Sequence, residues 1–303
     1  MTFDVSILKG FSYDKFATYE EVRDFILDTE LDVHELGLSS NDEMVYALSV
    51  GDLSKPMILI DGVMHGGHEW RNLHWVKEFA ERFDNPPDDE NKFYFEELKR
   101  EYCLMVIPCL NPHGYTNNDY RNANGINLNR NYPVGFDEYE APGYDEPGTQ
   151  NAKGTHAFSE PETQIIKSLV ETYRIAIYVN THTSGGYYGY SVENASGMLD
   201  SRKVLVDEFG GSMKLNFPGM VPSNEDGTRF YGPIVHRPYP QVPWVTEWLS
   251  REENNLPYKP FALIFESGSL ETHEMGAEIG MTGLFLIIKH VHEYIKTGAL
   301  IAN

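Results

Sequence analysis

The stretch PMILIDGVMHGGHEW, residues 56–70, passes from an apolar run into a polar cluster and then into a helical pattern. Residues 57–60 are apolar over a length too short for a helix, which reads as a buried strand. The run HEWRNLHWVKEFAERF, residues 68–83, carries helical periodicity and is stopped by Asp84-Asn85-Pro86-Pro87. A strand that ends in histidines and glutamate before a helix is how many α/β sites are built, at the carboxyl edge of a sheet.

The same arrangement recurs along the chain. MVYALSVGD (44–52), CLMVIPCLNP (103–112), IAIYVNTH (175–182) and FALIFESG (261–268) read as strands, with Gly51-Asp52 near the turn before Met57. TYEEVRDFILDTELD (18–32), FYFEELKREY (93–102), SEPETQIIKSLVETY (159–173), SRKVLVDEFGG (201–211) and MTGLFLIIKHVHEYIKTG (281–298) read as helices. Ser159 is placed as an N-cap, with Pro161 early in the first turn and Glu162 three residues after the cap. Alternating strands and helices predict an α/β fold: a single domain with a central mixed, mostly parallel twisted sheet flanked by helices. Residues 1–40 are expected to form an N-terminal extension packing on a main domain of residues 41–303. The segment from Asn111 to Thr155 has little periodicity and is far longer than an ordinary connection, which marks it as functional.

Composition narrows the partners. Lys plus Arg is 24 against Asp plus Glu 46, a net charge of −22, and such a surface repels phosphate backbones. Nucleic acid is not expected as a partner, and no apolar run is long enough to imply a membrane span. The first 25 residues lack a basic segment followed by an apolar one, so the reading is no secretory signal and a cytoplasmic setting. Cys103 and Cys109 lie six positions apart in one apolar run, too far along an extended strand to bridge. They are read as core thiols, in keeping with a reducing compartment.

A catalytic zinc site takes three protein ligands of His, Glu or Asp and leaves one position open. His65, His68 and Glu69 stand within five residues, and His182 ends a later strand between Thr181 and Thr183. His74, His290 and His292 have no such cluster; His74 is read as structural, the other two as helix-surface residues.

With these motifs the chain resembles the zinc carboxypeptidases, from about residue 56 to residue 270. Their first motif is H-x-x-E, often followed by Trp, and their third metal ligand is a His in a Thr/Ser-His-Ser/Thr context, as in THTSG here. HGGHEW holds one residue too many. One inserted Gly aligns Glu69-Trp70 with the family's Glu-Trp; without a gap His68 takes the acidic position. His65, Glu69 and His182 are thus expected to bind one Zn²⁺, with Glu69 opening the following helix, where the dipole favours a carboxylate. His68 is the alternative ligand.

NPHGYTNNDYRNANGINLNRNYP, residues 111–133, is similar to the family's NPDGY … R … G-V-D-x-N-R-N-F/W. The resemblance makes Asn129 and Arg130 the pair that grips a substrate's terminal carboxylate, suited to that task by a planar, two-pronged donor. It makes Arg121 the cation beside the metal that stabilises the developing oxyanion. Read without it, the segment is a polar loop whose Asn and Gly serve turns. Glu266, after the apolar FALIF, corresponds to the family's general base, which takes a proton from the zinc-bound water and returns it to the leaving amine. Tyr239 is placed as the family's mobile-loop Tyr, with Tyr231 competing, and Thr246, just before Glu247-Trp248, as the specificity position. A small neutral Thr246 argues against preference for basic side chains.

The resemblance implies a zinc metallopeptidase that hydrolyses the C-terminal peptide bond of a peptide with a free carboxylate. Two other classes share the fold: deacylases of the aspartoacylase kind, which usually carry H-G-N-E, and non-catalytic binding modules with a broken metal site.

Overall fold

The computed structural model describes residues 15–88, 91–138, 147–183, 188–190, 233–234, 243, 245–250, 256, 260–266 and 276–296. Its apolar runs form one eight-stranded sheet. In chain order the strands are β1 (Asp32–Leu38), β2 (Met44–Val50), β3 (Met57–Asp61), β4 (Cys103–Ile107), β5 (Ile175–His182), β6 (Tyr188–Tyr190), β7 (Pro233–Ile234) and β8 (Phe261–Glu266). Across the sheet they run β1-β2-β4-β3-β5-β8-β6-β7. The middle, β4-β3-β5-β8, is parallel, and β1 with β2, β2 with β4 and β6 with β8 pair antiparallel. This is the expected single α/β domain with a mixed, mostly parallel sheet.

Successive residues of a strand face opposite sides, and both sides here are covered. Ile58, Ile60, Leu104 and Val106 join one core with Trp75 and Phe79 of α2 (Asn72–Asp84) and Phe285 and Ile288 of α7 (Gly276–Lys296). Met57, Leu59 and Met105 join a second core with Ile166 and Val170 of α5 (Pro161–Thr172) and Leu249 of α6 (Val245–Ser250). Two-sided burial is why these strands read as continuous apolar runs rather than alternating ones. Among the described residues no helix is long and apolar enough to cross a membrane.

Several local expectations are corrected. Residues 28–32 do not extend the first helix: α1 is Tyr19–Leu27, opened by a capping box between Thr18 and Glu21, and Asp32–Leu38 is the edge strand β1. The 68–83 run becomes helical only at Asn72, because Gly66–His68 form a separate 3-10 turn. Glu160, not Ser159, is the N-cap residue of α5; the Ser159 hydroxyl donates to Glu160 Oε1 and accepts from Asn131 Nδ2. The strand holding Cys103 stops at Ile107, and Cys109 follows Pro108; both thiols are buried and free. His292 is not a surface residue: it is buried on α7 with Nδ1 3.3 Å from the Tyr102 hydroxyl. The expected helix at 201–211 lies outside the described residues.

α3 (Lys92–Glu101) precedes β4, and the short α4 (Pro112–Asn117) follows it, capped by the Asn111 side chain accepting from Gly114 N. Beyond α4 the loop brings Asn127 and Asn129 against His65 and His182, at the carboxyl ends of β3 and β5.

Candidate metal centre and substrate clamp

The carboxyl ends of β3 and β5 adjoin, with Asp61 paired to Asn180 in the parallel register. His65 lies four residues beyond the end of β3, and His182 is the last residue of β5. Between His65 and Glu69 the 3-10 turn lies directly on α4. A Cβ added to Gly66 would fall 2.0 Å from the Gly114 carbonyl carbon, and one added to Gly67 would fall 2.4 Å from Asn118 backbone atoms. Those two glycines let backbone pack on backbone and absorb the additional residue in HGGHE, so that Glu69 turns back toward His65.

The result is a buried group of three: one donor atom from each of His65, Glu69 and His182, all within 4.8 Å of one another. Glu69 Oε2 accepts from the His65 backbone N–H at 2.7 Å, while Oε1 lies 2.6 Å from His182 Nδ1 and 3.6 Å from His65 Nδ1. Burial pushes the Glu69 carboxyl up, but the two imidazoles and its hydrogen bonds outweigh that, and its pKa ends below the ordinary value.

The far nitrogen of each ring meets an amide. His65 Nε2 is 3.2 Å from Asn127 Oδ1, and His182 Nε2 is 2.5 Å from Asn180 Oδ1. A carbonyl oxygen only accepts, so each Nε2 is placed to donate, and each Nδ1, on the side of Glu69, holds either a proton shared with the carboxylate or, in the neutral ring, the lone pair that a metal ion takes. The 2.6 Å between His182 Nδ1 and Glu69 Oε1 is a hydrogen-bond distance, so a proton and a metal ion compete for the same donor atoms. Two imidazole nitrogens and a carboxylate converging in this way are a donor set that zinc takes in catalytic sites, and the residues present fit the ion. Glu69 is the acidic member of the cluster; the His68 side chain lies outside the described residues.

The clamp motif comes to the same place. Asn129 is buried, accepts from Val245 N–H through Oδ1 at 3.1 Å, and sets Nδ2 3.5 Å from His182 Nε2. Arg130 is half-buried beside it, its NH1 donating to the Asn129 carbonyl at 2.9 Å. Arg121 is turned to Asp119, to which Nε and NH2 donate at 2.8 and 2.9 Å, and which raises the guanidinium's pKa. The intervening Tyr120 lays its ring 3.9 Å from that of His65, centroid to centroid. Thr246 is fully buried on α6, one residue from Asn129's partner Val245. Glu266 ends β8 directly opposite His182 in the parallel register, and its side chain lies outside the described residues. Tyr239 and Tyr231 also lie outside them.

Four residues that touch or support the cluster were not singled out by the motifs: Asp61, Tyr120, Asn127 and Asn180. Asn127 had a signal, since it stands where the resembling pattern G-V-D-x-N-R-N has Asp. Asn180 had another, lying two residues before His182 and therefore on the same face of the strand.

Known proteins agree with this architecture. The sequence profile of the zinc carboxypeptidase family matches residues 29–238. A comparison with curated proteins finds no match. The carboxypeptidase A of Helicoverpa armigera superposes with a TM-score of 0.70 at 18% identity, over 96% of this chain and 76% of that one. Bovine thrombin-activatable fibrinolysis inhibitor, solved with tick carboxypeptidase inhibitor, gives 0.68 at 14% identity, over 95% and 100%. Murein-tripeptide amidase from Escherichia coli O157 gives 0.53 at 14% identity, over 87% and 95%. At these identities the superpositions speak for the fold alone, whereas the profile covers more than half of the sequence, and on that ground the chain belongs to the zinc carboxypeptidase family.

Proposed function

We propose that this chain is a zinc-dependent metallocarboxypeptidase that hydrolyses the C-terminal peptide bond of a peptide substrate. The observation that carries the reading is the approach of the clamp motif to the metal cluster, with Asn129 Nδ2 3.5 Å from His182 Nε2. A carboxylate gripped by Asn129 and Arg130 would bring its own peptide bond, the last of the chain, next to His65, Glu69 and His182. The net charge of −22 repels an anionic terminus, so local cations have to offset the surrounding field.

One zinc ion held by His65, Glu69 and His182 supplies Lewis acidity, polarising the scissile carbonyl and making water a stronger nucleophile. Glu266, in register with His182, is the general base: it accepts the proton of the attacking water and returns it to the leaving amine. Arg121 stabilises negative charge on the carbonyl oxygen, which requires its guanidinium to leave or share Asp119. Tyr239 covers the bound substrate, and Thr246 faces its terminal side chain.

The test uses a peptide in two forms, with free and with amidated C-terminus. The free acid is cleaved far faster by wild type. Arg130→Ala cuts kcat/KM on the acid by about ten- to a hundredfold, from about 1.5–3 kcal/mol of charge-assisted hydrogen bonding. It also narrows the gap between acid and amide. Equal cleavage of both forms by wild type, with zinc bound, would overturn the exopeptidase reading in favour of a deacylase or endopeptidase. A protein that takes up no zinc would be a binding module.

A further inference from the structure

His182 Nε2 faces two amides that make opposite demands on it. Asn180 Oδ1, at 2.5 Å, requires a proton on that nitrogen. Asn129 Nδ2, at 3.5 Å, presents a donor and favours a lone pair there. Asn129 cannot turn over without breaking the bond that its Oδ1 accepts from Val245 N–H. Glu69 Oε1, 2.6 Å from Nδ1, accepts a proton there in the metal-free ring, so whether Nε2 is held as the donor when Nδ1 is given to a metal depends on which end of the Asn180 amide faces the ring.

Asp61 settles it. Asn180 Nδ2 lies 3.0 Å from both carboxylate oxygens of Asp61, and otherwise only 3.8 Å from Met64 Sδ. A carboxylate accepts and does not donate, so the NH₂ end of Asn180 has to face Asp61 and the carbonyl end has to face His182. The two residues are register partners on β3 and β5, and both are completely buried. Burial pushes the Asp61 carboxyl up to about 6, against the pull of the Asn180 hydrogen bonds. The amide behind His65 has no such need. Asn127 is oriented by the backbone, donating to Gln150 O at 2.7 Å and accepting from Asn129 N–H at 3.0 Å.

We propose that Asp61 is a positioning residue of the metal centre: without touching a ligand, it locks the Asn180 amide and through it the tautomer and ring plane of His182. The proposal rests on the reading of His65, Glu69 and His182 as zinc ligands. Replacing Asp61 by Asn lets the amide at 180 turn its NH₂ toward His182 Nε2, which moves the ring proton to Nδ1, where it blocks the metal.

The experiment is zinc affinity of the full chain, measured by chelator competition, alongside the melting temperature of the metal-free protein. Asp61→Asn is expected to weaken zinc binding by about ten- to a hundredfold, the range for groups behind a ligand. The swapped pair Asp61→Asn with Asn180→Asp keeps the polarity of the relay. Its carboxylate accepts directly from His182 Nε2–H and is itself held by the NH₂ of residue 61. That double variant is expected within about threefold of wild type, whatever its metal-free melting temperature. Unchanged affinity in Asp61→Asn, or a folded double variant that binds as weakly as the single one, would overturn the proposal. If Asp61→Asn does not fold, the double variant decides alone: a loss beyond tenfold overturns the relay. A wild type that binds no zinc at all would instead sink the metal site itself, a different failure.

Discussion

The tips of the central strands and the loop between β4 and α5 both deliver residues to the centre, but they are held in different ways. At the tips, backbone register does the placing. Asp61 faces Asn180, and His182 faces Glu266, because β3, β5 and β8 are adjacent and parallel. In the loop, asparagine side chains do it. Asn131 Nδ2 donates to Lys153 O, His156 O and Ser159 Oγ, while its Oδ1 accepts from Glu160 N–H and Thr163 Oγ1. Asn122 reaches both Glu160 and Glu162 from one nitrogen, and Asn127 ties Gln150 to Asn129. An amide offers donors and acceptors on one short side chain, so it can stand in for a missing ladder. Substituting a side chain at a strand tip should therefore remove chemistry and leave the frame; substituting a loop asparagine should loosen the frame itself.

The sharpest break of that contrast is at the tips. His182→Ala is expected to abolish stoichiometric zinc, read by metal analysis of the purified protein, with the fold intact by circular dichroism. Full zinc retention would remove His182 from the site. His68→Ala should keep most of the zinc, and an emptied site in that variant would make His68 the ligand in place of Glu69. Next in size, Glu266→Gln should retain zinc and substrate binding while turnover falls by about 10²–10⁴, because an amide does not take the proton. Near-normal turnover would send the search to another carboxylate.

The same contrast explains what could be read from the sequence. The strand-tip residues were legible because a polar cluster after an apolar run marks a strand end, whichever strands become neighbours. Their supporting partners were not, since Asp61 with Asn180 and His65 with Asn127 depend on which strand lies beside which and on the loop's path. β3 follows β2 in the chain, yet β4 lies between them in the sheet. Edge strand β1 escaped for a different reason: DVHELGL is covered on neither face enough to be apolar. Ser159 carries sound capping chemistry, but Asn131 and Glu160 engage its hydroxyl. A local signal was overruled by a partner 28 residues earlier.

In the loop the expected effect is on stability. Asn131→Ala leaves the buried Glu160 N–H without its acceptor and strips a donor from Lys153 O and Ser159 Oγ, while the Thr163 hydroxyl keeps Glu160 O and His156 O keeps the Ser159 N–H. At about 1–3 kcal/mol for each buried group left unmade, a loss of about 4 kcal/mol in denaturant unfolding is expected, larger than any ordinary surface change. Zinc binding should weaken only in proportion to the loosened fold. A stability unchanged within 1 kcal/mol would show that the loop is held by something other than its asparagines.

Asp61 is a strand-tip carboxylate whose burial works against folding. Asp61 titrates near 6 in the folded protein, against about 3.9 for an unperturbed Asp. The folded state thus binds this proton more tightly than the unfolded chain does. Below about pH 4 both states hold it. As pH rises through the interval up to 6, the unfolded chain releases it first, and each unit lowers stability by about 1.4 kcal/mol. Above 6 both states have lost it and the loss levels off. Metal-free wild type, compared with metal-free Asp61→Asn, should therefore lose up to about 3 kcal/mol of relative stability between pH 4 and 7. Unfolding of both proteins in urea across that range measures it, and the subtraction cancels the titrating groups that do not interact with Asp61, leaving its coupling to His182 and Glu69 in the difference. A flat difference would mean that the paired hydrogen bonds from Asn180 hold the Asp61 charge as comfortably as water does, so that its burial costs the fold nothing.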